Sequence, residues 1–135
     1  MKQSRLTLYS RILLCLYIGA VLFLCFAKLP QDQNVPKIFL GIPLDKAAHF
    51  LMFLPLVPLM MASFIKDGDR LSRAVAVMAI AFVCGILLAG TTEYIQGLTS
   101  YRSRDPFDFA ADCSGILAGT IACLTIVTFS KHISK

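Results

Sequence analysis

Three short stretches carry the side chains able to do chemistry. "DKAAHF" holds Asp45, Lys46 and His49. "EYIQ" holds Glu93, the only glutamate in the chain, three residues before Gln96. "RSRDPFDFAAD" sets Arg102 and Arg104 ahead of Asp108 and Asp112. Residues three or four apart share one face of a helix, so each stretch predicts a polar face at a helix end.

Four uses of such a set compete. His49, Glu93, Asp108 and Asp112 form a mixed nitrogen and oxygen set suited to Zn, Mn or Mg. A carboxylate beside an imidazole is an acid/base pair, with Glu93 or His49 as base. Arg102 and Arg104, with Lys46, suit an anionic or polar lipid headgroup. The same groups also serve as plain structure: Asp45 and Asp108 as helix caps, Glu93 as a salt-bridge partner of Arg102. The chain has no H-E-x-x-H and no C-x-x-C, so the expectation is no metal and no cofactor. It has neither G-x-S-x-G nor a phosphate-binding glycine loop. A nucleophile would have to be Ser103, Ser114 or Cys113, chosen only by nearness, which ranks catalysis below binding. Four carboxylates are more than helix ends need, which counts against a pure lock.

The elements that position these residues follow from composition. Hydrophobic residues make up 57% of 135 and charged residues only 16%. So small a globule cannot bury that much apolar surface, which implies an integral membrane protein. Four apolar runs, at about 9–27, 47–65, 74–98 and 109–129, approach or exceed the ~20 residues that cross a bilayer as helix. The fold class is all-α, a compact bundle of four transmembrane helices in one membrane domain spanning 1–135. The first run is long for a secretory signal and reads as an uncleaved anchor. Pro55 and Pro58 fall inside the second run and should kink it. The connector from 28 to 46 carries Pro30, Pro36 and Pro43 and reads as irregular.

Basic residues give the orientation. With both termini cytoplasmic, Lys2, Arg5, Arg11, Lys66, Arg70, Arg73, Lys131 and Lys135 lie inside. Lys28, Lys37, Lys46, Arg102 and Arg104 lie outside. The excess favours that topology in the cytoplasmic membrane and puts all three polar stretches at the outer boundary. The net charge of +5 is therefore a membrane signature, and nucleic acid is not an expected partner. Cys15, Cys25, Cys84, Cys113 and Cys123 lie in apolar runs and behave as small hydrophobes. Gly115 and Gly119 form a G-x-x-x-G in the fourth run, and Gly85, Ala89 and Gly90 lie in the third. These small residues are expected to bring the third and fourth helices together.

Taken in order, Asp45-Lys46-x-x-His49-Phe50, Glu93-x-x-Gln96, Arg102-Ser103, and Asp108 with Gly115 and Gly119 resemble the VanZ-like family of small bacterial membrane proteins. The resemblance covers about residues 45–119. Family members often have Asn where Asp112 stands. The family takes its name from a protein linked to resistance against teicoplanin, a lipid-tailed glycopeptide, and it supplies no catalytic residues to carry over. The expected site is an outward polar pocket of Asp45, Lys46, His49, Glu93, Gln96, Arg102, Asp108 and Asp112. Its expected partner is a membrane lipid or lipid-tailed ligand, with a membrane enzyme on such a lipid as the alternative. Oligomeric state is not legible.

Overall fold

The computed structural model describes residues 2–27, 38–39, 41–66, 68–99 and 105–133. Helices dominate: α1 (Lys2–Phe26), α2 (Leu44–Phe53), α3 (Leu56–Phe64), α4 (Leu71–Gln96) and α5 (Pro106–Ile133). Four stretches are long and apolar enough to cross a membrane: Arg5–Phe26, Leu44–Phe64, Leu71–Gln96 and Pro106–Ser130. The protein is a multi-pass helical membrane protein.

The second span is two helices. Pro55 and Pro58 have no N–H, so the carbonyls of Leu51 and Leu54 lose their donors four residues on. The chain breaks at Leu54 and Pro55, between α2 and α3. At this break the Tyr17 hydroxyl of α1 donates to Met52 O.

The connector departs from the irregular reading. Ile38 and Phe39 (β1) pair antiparallel with Ile42 and Pro43 (β2). Gly41, at φ 80°, takes the left-handed conformation that lets so tight a hairpin reverse. Residues 28–37 of that connector lie outside the described set.

Successive spans run in opposite directions. The end of α1 meets the end of α4 through Gln96 and Cys25, and the start of α2 meets the start of α5 through His49 and Asp112. Phe53, Val57, Ala81, Ala89 and Ile116 fill the interior, while Leu16, Leu87 and Ile126 project from the perimeter. Apolar surface inside and out suits a bundle whose solvent is lipid.

Gly115 and Gly119 do not join the third span to the fourth, as their sequence context predicts. A Cβ on Gly115 would overlap the carbonyl oxygen of Phe50, and one on Gly119 that of Leu54. Both glycines seat α5 against the second span at its proline break. The reason is local: the broken turn offers backbone rather than side chains, and only a residue without Cβ lets another backbone come that close. Contact between α4 and α5 passes instead through Gly85, beside Ile116, and Gly90, beside Phe109.

Candidate functional site

The three polar stretches meet where α2 begins, α4 ends and α5 begins. Asp105 organises the start of α5. It precedes Pro106, and its Oδ1 accepts the Phe107 amide at 2.9 Å, an N-cap followed by proline at the first helical position. Its own amide donates to Glu93 Oε1 at 2.6 Å. In a capping box the third residue of the same helix reaches back to that amide. Here that third residue is Asp108, which turns to Lys46 instead. Glu93, 5% exposed, performs the reach-back from a different helix.

Lys46 is the hub. Its ammonium donates to Asp45 Oδ2 at 3.0 Å, to Asp105 Oδ2 and to Asp108 Oδ1. An ammonium has three donors, and carboxylates take all of them. Asp45, Asp105 and Asp108 each place one oxygen within 4.8 Å of the others, a grouping that resembles a cation site. The cation bonded to all three is the side chain of Lys46. The Lys46 ammonium also holds the Asp105 carboxyl below the usual carboxylate range.

His49, 6% exposed, lies one turn deeper on α2. Its Nδ1 is 2.9 Å from Asp112 Oδ1, and its Nε2 is 3.7 Å from Asp108 Oδ2. The imidazole therefore faces two acids one turn apart on α5. Asp112 is 1% exposed. Burying such a pair is tolerable only because each member is the other's partner.

Several expectations change. Asp45 does not cap α2: Pro43 holds that position, and the Asp45 side chain is 60% exposed beside Lys46. Asp108 does not cap α5, because Asp105 does. Gln96 is buried but faces α1, where its Nε2 donates to Cys25 O at 2.9 Å. It thus ties the end of α4 to the end of α1. Ser114 Oγ donates to Ala110 O within its own helix. Arg102, Ser103 and Arg104 lie outside the described residues.

Asp105 is the residue that sequence reasoning passed over as a site member. Its signal was present, since an acid directly before proline marks a helix start. That signal predicts a cap but not a cross-helix bond to Lys46. Tyr17 carried no signal, because a single tyrosine in an apolar run reads as core.

These features define a class: a multi-pass helical membrane protein with a buried, cross-bonded polar cluster at one end. The chain matches the VanZ/LLP1 family model over residues 13–128, from the first span into the fourth, and it belongs to that family. No curated protein and no solved structure matches it.

Proposed function

We propose that this end of the bundle binds the headgroup of a lipid-linked or lipid-tailed amphiphile. In this reading both termini are cytoplasmic and the cluster faces the outer side of the cytoplasmic membrane. The observation that carries it is the setting of the cluster. Buried Glu93, His49 and Asp112 adjoin, in the chain, the exposed apolar side chains Ile42, Leu44, Leu98 and Phe107. An amphiphile needs that combination, polar contacts for its head beside an apolar surface for its tail. Protection against a lipoglycopeptide of the teicoplanin type is the physiological role this reading favours.

The test compares wild type with Glu93→Gln and His49→Ala for binding of a lipid-tailed glycopeptide and for protection of cells. Loss of both properties in variants that still accumulate and fold is the expected result. Full binding and protection in folded variants would remove the site. Loss of insertion would instead assign the cluster to structure alone, the second reading, which Glu93's bond to the Asp105 amide favours.

A further inference from the structure

One polar atom of the cluster is left over. Glu93 Oε1 accepts the Asp105 amide, but no hydrogen bond reaches Glu93 Oε2, which is buried. A buried acceptor without a donor is costly and rare in folded proteins. Among the described residues of the cluster, the donors are directed elsewhere. Lys46 has all three of its N–H groups on Asp45, Asp105 and Asp108. His49 presents its two nitrogens to Asp112 and Asp108. The Gln96 amide nitrogen is bonded to Cys25 O.

The charge balance runs the same way. Among the described residues, five carboxylates, from Asp45, Glu93, Asp105, Asp108 and Asp112, gather around one ammonium and one imidazole. A newcomer to these residues meets acceptors and negative charge. Among the described residues an anion would have to displace a carboxylate from Lys46, whereas a donor finds Glu93 Oε2 unpaired.

Size narrows the class. Oε2 is buried, so a small donor suits it and a bulky one does not. A primary ammonium brings three N–H donors on a compact head. A trimethylammonium has the same charge, more bulk and no donor. Position agrees, since Glu93 lies three residues from the last residue of α4, about 4–5 Å along the axis from the end of a membrane-length helix.

We infer that the amphiphile bound at this site carries a protonated primary amine in its headgroup, and that Glu93 Oε2 accepts its hydrogen bond. This inference rests on the amphiphile-binding reading above and specifies its ligand.

Glu93→Gln suits the test because its amide oxygen can still accept the Asp105 N–H. The amide nitrogen then takes the place of Oε2, turning the open acceptor into a donor. The experiment is native mass spectrometry of the purified full chain in detergent. Phosphatidylethanolamine, phosphatidylcholine and phosphatidylglycerol of matched acyl chains are supplied in equal amounts. Wild type should retain phosphatidylethanolamine about tenfold or more over the other two, as a charge-assisted hydrogen bond allows. Glu93→Gln should bring that ratio to about one, the prediction of the lost charge-assisted bond.

Equal retention of all three lipids, a preference for phosphatidylglycerol, or unchanged selectivity in Glu93→Gln would overturn the amine assignment and leave amphiphile binding standing. Retention of no lipid at all would overturn both. If Glu93→Gln does not accumulate, the wild-type ratios decide alone. Ethanolamine without acyl chains tests the source, and retention of the free amine as strongly as the lipid would overturn a lipid as its carrier.

Discussion

The two ends of the bundle use similar charged residues in opposite ways. At one end Lys46, Asp105, Asp108, His49, Asp112 and Glu93 bond across three helices, and most of them are shielded. At the other end the contacts are separate and shallow. Arg11 donates to Ser63 O at 3.2 Å and sits 5.5 Å over the Phe64 ring. Arg73 pairs with Asp69, four residues away in sequence, with its side chain 57% exposed. The difference teaches that charge near a membrane boundary is not one thing. Where each charge has its own separate partner, it anchors an end. Where charges share partners from several helices, removing one strands the rest.

The sharpest way to break that contrast is Asp112→Ala. It leaves His49 without its closest partner inside the bundle, and breaking a buried pair costs about 3–5 kcal/mol. Arg73→Ala, the matched change at the other end, should cost no more than about 0.5 kcal/mol. Thermal unfolding in a single detergent measures both. Equal losses would mean that sharing of partners does not matter. The His49→Ala, Asp112→Ala double variant should lose less than the sum of the single losses.

Next in size is the glycine seam that holds the polar end's α5 against the second span. Gly115→Ala places its methyl against the Phe50 carbonyl, and overpacking of that kind costs about 1–3 kcal/mol. Gly19 of α1 has nothing within 4 Å of a built Cβ. Gly19→Ala should therefore stabilise by up to about 1 kcal/mol through helix propensity. Opposite signs in the unfolding temperature are the expected outcome. A loss at Gly19 as large as at Gly115 would show that both act through the backbone alone.

The smallest effect is pH-dependent. The Asp105 carboxyl sits below its usual range in the folded protein because Lys46 bonds to it. Its contribution is present above the ordinary carboxylate range and is lost as pH falls through the lowered folded value. Asp105→Asn retains a good N-cap residue but not the charge. Between pH 7 and pH 3 the variant's unfolding temperature should fall less steeply than that of wild type. Parallel curves would place the acid sensitivity at another carboxylate.

Much of this architecture was legible before any tertiary contact was known. Apolar runs of membrane length gave the four spans, since lipid leaves helix as the economical way to satisfy a single backbone segment. Pro55 and Pro58 gave the break, because a missing N–H acts on its own helix. The pairings Lys46 with Asp108 and His49 with Asp112 were not legible as pairs. The sequence places each residue on a face but does not say how far α2 and α5 slide along one another. Asp105 illustrates the same limit. Its position before Pro106 marks a helix start, and nothing local says that Glu93 will hold its amide.

The sequence by itself determined the helical membrane class, the membership in the VanZ/LLP1 family and the polar faces near helix ends. All three depend on composition, on spacing within a segment or on the order of segments along the chain, and helical periodicity is a local property. Tertiary structure alone decided that Lys46 is held by three aspartates, that Glu93 completes the cap of another helix, and that Gly115 and Gly119 serve the second span rather than the third. Those choices depend on the rotation and axial offset of packed helices. Here the offset is set at the proline break, where the backbone of the second span lies against α5 and only glycine can come close.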